Sequence, residues 1–221
     1  MSTLKLIHKI VKPFAIFTDY THRFLRDTIL NSYYTSRLGY CGKNVVLRNP
    51  NAYTRLSRMY MYDNTSLFEG FNFISYTGKF IMKQNSGAAQ NLTIVTGNHH
   101  RVLGVWMKSA SINRLYDEEK DVVVEEDVWI GINVTLLSGV TVGRGATIGA
   151  GAVCTLNVPP YAIMKGNPAK VVGFNYTPEE VIEHEKALYP ESERIPIELL
   201  EKNYDKYFLK RLKEIKEFMR K

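Results

Sequence analysis

The chain has little cysteine and no long apolar run. Cys41 and Cys154 are its two cysteines in 221 residues, which excludes a disulfide-stapled scaffold and favours a reducing compartment. No apolar run reaches the roughly 20 residues that a membrane-spanning helix needs. Residues 1–17 are interrupted by His8, Lys9 and Lys12, which argues against a secretory signal. We therefore expect a cytoplasmic protein.

Common phosphate-binding and metal-binding motifs are missing. The sequence contains no Walker loop and no GxGxxG fingerprint between a strand and a helix. It has five histidines, and only His99 and His100 lie in its central part. Two adjacent histidines have a poor spacing for a three-histidine zinc site. We therefore expect no metal.

Positive charge is in excess. The formal net charge is +7, and such a surface suits an anionic ligand. The Lys and Arg residues are spread out and are densest near the C-terminus. This distribution favours a polyphosphate cofactor or an acidic glycan over nucleic acid, so we expect no nucleic-acid partner.

Residues 124–171 repeat with a period of six, which neither a helix nor a simple strand explains. The first six blocks open with an aliphatic residue or cysteine: Val124, Ile130, Leu136, Val142, Ile148 and Cys154. Such a period predicts triangular coils with one block per side, stacked about 4.8 Å apart as neighbouring strands are. The first residue of each block then points inward. Cys41 and Cys154 both fall at such positions, so we expect both thiols to be buried.

The flanks divide the chain into three parts. Residues 1–36 form a helical segment with an amphipathic stripe and a predicted break or kink at Pro13. Residues 37–174 carry the repeat, which is degraded over 37–80 and broken by a projecting loop at 101–121. Residues 175–221 are helical, with a capping box from Thr177 to Glu180 and one last helix from about Pro196. Packing of the N-terminal helix on the β-helix is favoured over binding to a membrane surface, so we expect no membrane association.

The repeat resembles a known family. The segments DVWIGINVTLLSGVTVGRGATIGAGAV and VPPYAIMKGNPAKVV are similar to those of the hexapeptide-repeat acyltransferases, which include galactoside, maltose and xenobiotic O-acetyltransferases. The resemblance implies a mainly β fold, a left-handed parallel β-helix with N- and C-terminal helical segments. It also implies a homotrimer with active sites between subunits and acetyl-CoA as co-substrate. The left hand comes from the resemblance alone, because the usual crossover rule favours the right hand.

His99 is the candidate catalytic base. Transfer of an acyl group to a hydroxyl needs a base, and the ordinary histidine pKa of about 6.5 suits that task. His99 closes a repeat block before the projecting loop, where the resembling enzymes keep their catalytic histidine; His100 is the adjacent alternative. Asp117, Glu118 and Glu119 lie on that loop; Glu118 and Glu119 are candidates to hold the imidazole, and a solvated acidic turn is the alternative.

The resemblance also points to residues that bind the co-substrate. In related enzymes, the tryptophan corresponding to Trp129 packs beside the pantetheine arm, and backbone N–H groups near Gly131 and Ile132 are candidates for the oxyanion. The positions matching Ala150 and Thr155 contact coenzyme A. The turn containing Asn167 and Lys170 meets its nucleotide end, where Lys165 is a further phosphate partner.

These observations predict an acetyl-CoA-dependent O-acetyltransferase that acts on a saccharide hydroxyl. A xenobiotic (antibiotic) O-acetyltransferase is the first alternative, and a non-catalytic β-helical scaffold is the second. A γ-class carbonic anhydrase shares the architecture, but its three-histidine zinc site does not match this sequence. The aromatic residues of 53–76 could line an acceptor pocket or pack in the core.

Overall fold

Short strands carry the fold. The computed structural model describes residues 3–114 and 117–220, with side chains from residue 11 onward. In chain order the strands are β1 (Tyr40–Cys41), β2 (Val46–Leu47), β3 (Ala52–Tyr53), β4 (Met59–Met61), β5 (Ser66–Leu67), β6 (Asn72–Ile74), β7 (Phe80–Met82), β8 (Gly87–Ala88), β9 (Thr93–Val95), β10 (Gly97–Asn98), β11 (Glu118–Glu119), β12 (Val122–Val124), β13 (Trp129–Ile130), β14 (Thr135–Leu136), β15 (Thr141–Val142), β16 (Thr147–Ile148), β17 (Val153–Cys154), β18 (Ala162–Lys165) and β19 (Lys170–Phe174).

The strands form three faces that the chain visits in turn, which makes a parallel β-helix. Face 1 contains β1, β4, β7, β12 and β15; face 2 contains β2, β5, β8, β13, β16 and β18; face 3 contains β3, β6, β9, β14 and β17. Neighbouring strands within each face are parallel. Only β19 departs from this pattern in face 2, because it folds back antiparallel on β18.

Coil length explains why the repeat looks degraded before residue 80. Val124 pairs with Val142, 18 positions later, which is three blocks of six. In contrast, Met61 pairs with Met82, 21 positions later. The early coils therefore follow the same path with extra corner residues, which shift the register of six. Met82 pairs with Val124, 42 positions later, because the inserted segment lies between these two strands.

The core is a set of apolar columns inside the coils. Leu67, Ile130, Leu136 and Ile148 are fully buried, and each such side chain stabilises the fold by about 1.5–3 kcal/mol. Cys154 is also fully buried, as the repeat predicts.

The prediction for Cys41 is wrong, since this residue is exposed. It is in register with the buried Met61 of the next coil. However, Cys41 lies in the first coil, and in the described part of the chain no coil precedes it.

Asparagines stack at one corner. Asn44, Asn64 and Asn85 have φ angles of 55°, 57° and 59°, a left-handed conformation that asparagine tolerates better than most residues. The Asn44 side-chain amide donates to Asn64 at 2.9 Å, and that of Asn64 donates to Asn85 at 3.0 Å. This amide ladder runs from coil to coil and fixes their stacking.

The N-terminal segment is one long helical rod. Helix α1 (Thr3–Phe24) runs through Pro13, so the predicted break is absent, and it continues as a π-helical turn (Leu25–Leu30) into α2 (Asn31–Thr35). The backbone N–H of Leu47 donates to the Asn31 side chain at 2.7 Å, which joins the rod to the first coil. Residues 11–20 are all exposed. The expected packing on the β-helix is therefore wrong for this part of α1.

Among the residues described, no helix combines the length and the apolarity required to cross a bilayer.

The C-terminal helices cover one side of the β-helix. Helix α4 (Pro178–Leu188) begins with the predicted capping box. The predicted last helix is two helices, α5 (Ile197–Tyr207) and α6 (Leu212–Met219), because Phe208 leaves the helical conformation at φ −122° and ψ −66°. The fully buried Glu185 of α4 accepts hydrogen bonds from Tyr161 at 3.0 Å and from Arg144 at 3.2 Å. This buried ion pair ties α4 to the last coils.

Candidate active site

The inserted segment of residues 99–117 leaves face 3 and creates a cavity beside His99. It contains the short helix α3 (Met107–Ile112) and is closed at its base by antiparallel pairing of β10 with β11. The cavity has a volume of about 310 Å³. Its lining residues are Thr54, Ile74, Ser75, Tyr76, Val95, Gly97, Asn98, His99, Arg114, Asp117 and Glu119.

A second cavity of about 280 Å³ lies on the other side of His99 and includes Lys120 and Ser138. The His99 side chain is 49% exposed. His99 therefore lines both cavities, together with Asn98.

Asp117 holds the imidazole of His99. Its Oδ2 lies 2.9 Å from Nδ1 of His99, and its Oδ1 accepts the backbone N–H of His100 at 2.9 Å. The pairing of β10 with β11 produces this contact, because it returns the chain next to His99 after the insertion. The expectation that Glu118 or Glu119 holds His99 is therefore wrong.

The charge on Asp117 is stabilised by its partners. The backbone N–H of His100 lowers the pKa of Asp117, and the bond to His99 adds to this effect, although desolvation opposes it. In the neutral tautomer that carries its proton on Nδ1, His99 donates a hydrogen bond to the ionised Asp117. Nε2 of His99 then keeps a free lone pair. The geometry thus prepares Nε2 to accept a proton.

Glu119 joins the insertion to the neighbouring coils. Its carboxylate accepts backbone N–H groups of Tyr76, Thr77 and Gly78 at 2.8–3.0 Å, and the Thr96 hydroxyl at 2.9 Å. Burial opposes ionisation of this group, but these donors outweigh it and lower the pKa of Glu119 to about 2. Glu119 is therefore a structural carboxylate rather than a proton carrier.

Arg114 extends this network into the cavity. Its Nη2 donates to Oε1 of Glu119 at 2.7 Å, and its Nε lies 3.9 Å from Oδ2 of Asp117. Its guanidinium lies 4.0 Å from the centre of the Tyr76 ring, within the range of a cation–π interaction. Sequence reasoning did not identify Arg114 or Tyr76 individually, because both roles depend on the path of the insertion.

Trp129 lies on face 2, in strand β13. It is 49% exposed, and it lines a cavity of about 300 Å³ with Asn64, Asp127 and other residues of that corner. A Cβ atom on Gly87 would lie 3.2 Å from the Trp129 ring. The glycine thus makes room for an outward-facing indole.

Gly131 and Ile132 differ in whether their backbone N–H groups are already hydrogen-bonded within the chain. The N–H of Gly131 donates to the carbonyl of Ile148 at 2.8 Å, so the expectation that it holds an oxyanion is wrong. A Cβ atom on Gly131 would lie 2.8 Å from the backbone nitrogen of Ala150, so this glycine allows a close approach of two coils. Ile132 is 40% exposed, and its N–H has no acceptor among the described residues.

The other predicted binding residues lie on the surface. Ala150, Thr155, Asn167, Lys165 and Lys170 are all exposed. The ammonium of Lys170 lies 3.2 Å from Glu214 of α6. Glu214 is also paired with Arg211, which is the main cause of its low pKa of about 2. Lys170 therefore already has an ion-pair partner, whereas Lys165 has none among the described residues.

The structure does not bring the two groups of predicted residues together within one chain. His99 lies where face 3 gives way to the insertion, whereas Trp129, Ile132 and Ala150 lie on face 2 or at the corner that follows it. The cavities beside His99 and beside Trp129 share no lining residue.

Comparison with known proteins agrees with this architecture. The family described as "Bacterial transferase hexapeptide (six repeats)" matches residues 121–155. A probable macrolide acetyltransferase of Lysinibacillus sphaericus is 33% identical over 131 residues, which cover 58% of this chain and 71% of that protein.

Solved structures of acetyltransferases share the fold. A maltose O-acetyltransferase from Clostridium difficile is 26% identical with a TM-score of 0.55, covering 62% of this chain and 70% of that one. A galactoside acetyltransferase in complex with coenzyme A is 21% identical with a TM-score of 0.56, covering 75% and 76%. The relatives are enzymes, so the scaffold alternative is not supported. The chain belongs to the hexapeptide-repeat acyltransferase family and is an acyltransferase.

Proposed function

We propose that the protein is an acetyl-CoA-dependent O-acetyltransferase that acts on a hydroxyl of a saccharide, with His99 as general base. The observation that carries this proposal is the Asp117–His99 pair, whose two residues line the same cavity. A histidine oriented by a carboxylate is the arrangement that acyl transfer to a hydroxyl requires.

The residues beside His99 support a direct transfer. Nε2 of His99 takes the proton of the acceptor hydroxyl, while Asp117 stabilises the imidazolium that forms. The acceptor oxygen then bonds to the acyl carbon of the thioester, which supplies the acetyl group. The carbon–sulfur bond breaks, and His99 returns the proton to the leaving thiolate. Neither cysteine lines the cavities beside His99, and Cys154 is also buried, which raises the pKa of its thiol to about 11.

Assembly completes the site in this proposal. Left-handed β-helices packed as a homotrimer would bring the Trp129 face of one copy beside His99 of another. The indole of Trp129, the free N–H of Ile132 and the small side chain of Ala150 then offer an open surface for the pantetheine arm. Thr155, Asn167 and Lys165 are exposed, and in this proposal they contact the nucleotide end of the co-substrate, with Lys165 as a phosphate partner.

An antibiotic hydroxyl is the second candidate acceptor. The named relative that is 33% identical is a probable macrolide acetyltransferase, which favours testing a macrolide alongside sugars. The cavity beside His99 contains Arg114 and Tyr76 together with Ile74, so it presents both polar and apolar surfaces.

The test is acetyl transfer by His99→Ala. We expect kcat to fall by about 10²–10⁴-fold, the usual contribution of a general base, while acetyl-CoA binding measured by calorimetry stays near that of the unmodified protein. His100→Ala is the matched control, because His100 contributes its backbone N–H to Asp117 and keeps it in the variant. Near-normal turnover by His99→Ala would contradict the proposed mechanism.

A further inference from the structure

Two guanidinium groups lie against the same tyrosine at the cavity beside His99. The Arg114 guanidinium is 4.0 Å from the centre of the Tyr76 ring, and the Arg55 guanidinium is 5.1 Å from it. Tyr76 is 44% exposed, so its ring is not simply part of the core. The pair of cations and the ring form one surface, which we call the Tyr76 platform.

Arg114 and Arg55 differ in whether a carboxylate of the chain pairs with them. Arg114 is neutralised by Glu119 at 2.7 Å and approached by Asp117 at 3.9 Å. The Arg55 side chain is exposed, and among the described residues it forms neither an ion pair nor a hydrogen bond. The carboxylates of Asp117 and Glu119 pair with His99 and Arg114 instead. Arg55 is therefore the cation of the platform that lacks a paired carboxylate.

The backbone beside Arg55 is held firmly. Thr54, which lines the cavity, donates its N–H to the carbonyl of Phe73 at 2.9 Å, and its hydroxyl accepts the N–H of Ser75 at 3.3 Å. Leu56, on the other side, is buried at 3% exposure. The base of the Arg55 side chain is thus placed by the coil on both sides, next to the cavity that contains His99.

This arrangement defines the ligand chemistry. A guanidinium held against an aromatic face presents its planar set of donors in an orientation suited to a carboxylate or phosphate. The exposed ring of Tyr76 and the neighbouring Ile74 offer an apolar surface for the face of a sugar ring. We infer that the acceptor is an acidic saccharide whose anionic group binds Arg55 while its reacting hydroxyl lies at His99. This inference rests on the saccharide O-acetyltransferase function proposed above.

The experiment uses matched acceptors that differ at one carbon. Initial rates are measured with methyl glucuronide, methyl glucoside 6-phosphate and methyl glucoside, using the unmodified protein, Arg55→Gln, and the control Lys202→Gln. Lys202 is an exposed lysine of α5 without an ion pair among the described residues, so it tests for a general charge effect. The two acidic acceptors distinguish a carboxylate from a phosphate.

We expect kcat/KM of the unmodified protein to be higher for an acidic acceptor than for methyl glucoside by about 10–100-fold, as for a charge-assisted hydrogen bond. In Arg55→Gln this preference should disappear through a rise in KM, with the rate on methyl glucoside unchanged; Lys202→Gln should keep the preference. Equal kcat/KM for acidic and neutral acceptors, or a preference that persists in Arg55→Gln, would overturn the inference. Transfer to a macrolide hydroxyl but to none of the three sugars would instead overturn the saccharide function, and this inference with it.

Discussion

Glu119 joins three parts of the chain through a single carboxylate. It binds the backbone of residues 76–78, the hydroxyl of Thr96 and the guanidinium of Arg114. Its pKa of about 2 lies below its ordinary value of 4.5. A lowered pKa means that the ionised form stabilises the fold. That stabilisation is fully present above pH 4.5 and is lost as the pH falls through about 2.

We therefore expect Glu119→Gln to lower the free energy of unfolding at neutral pH by about 1–3 kcal/mol, because buried donors lose a charged acceptor. The difference between the variant and the unmodified protein should shrink as the pH falls from 4.5 toward 2. Urea unfolding measured over that range checks it. The neighbouring Glu118→Gln is the control, because Glu118 is exposed. A difference that does not depend on pH would contradict the role of this carboxylate.

At the residue scale, the sequence singled out His99 as the candidate base but did not predict which carboxylate contacts its imidazole. His99 stands out because it closes a repeat block before the insertion. Asp117, Glu118 and Glu119 are consecutive carboxylates, and the sequence does not say which one returns to His99. That choice is made by the pairing of Asn98 with Glu118 and of Gly97 with Glu119, which leaves Asp117 level with His99. The register of two antiparallel residues cannot be derived from the hexad pattern.

At the coil corners, replacing a glycine with alanine can destabilise the protein in two ways, by crowding a neighbouring coil or by straining a left-handed backbone conformation. A Cβ atom on Gly143 would lie 2.6 Å from the backbone nitrogen of Pro160, whereas one on Gly151 would have no atom within 4 Å. Gly151 has a φ angle of 71°, so alanine there costs only about 1 kcal/mol of left-handed strain. Gly143→Ala must also separate two coils, so we expect it to destabilise the protein more than Gly151→Ala does. Thermal unfolding of the two variants checks the order, and equal losses would contradict it.

At the scale of the elements, the strict repeat from residue 124 onward was enough to predict the coils and the inward columns. The early coils were harder because Met61 and Met82 are 21 positions apart instead of 18. The C-terminal helix was predicted as one element because its apolar stripe continues past Phe208. The break there is set by a local backbone conformation that amphipathic spacing does not reveal.

For the whole molecule, the separation of His99 from Trp129 within one chain leads to a direct test of the proposed homotrimer. If the proposed homotrimer places Trp129 of one copy beside His99 of another, then mixing two defective chains should restore some sites. We expect His99→Ala and Trp129→Ala to be impaired as separate proteins and to regain part of the acetyl transfer rate when the two chains are co-expressed. Activity of the purified mixed assembly, with its mass determined by light scattering, checks this. A mixed trimer no more active than the mean of its two parents would contradict a shared site.

The amide ladder of Asn44, Asn64 and Asn85 also has a consequence for deamidation of the protein. Each rung uses the nitrogen of one side chain as donor and the oxygen of the next as acceptor, so the ladder has a direction. Deamidation of Asn64 replaces its donor with an oxygen and places two acceptors against each other at the Asn85 rung. Asparagine is among the thermolabile residues. We therefore expect chemical ageing of this protein to begin by weakening the stacking of its first coils.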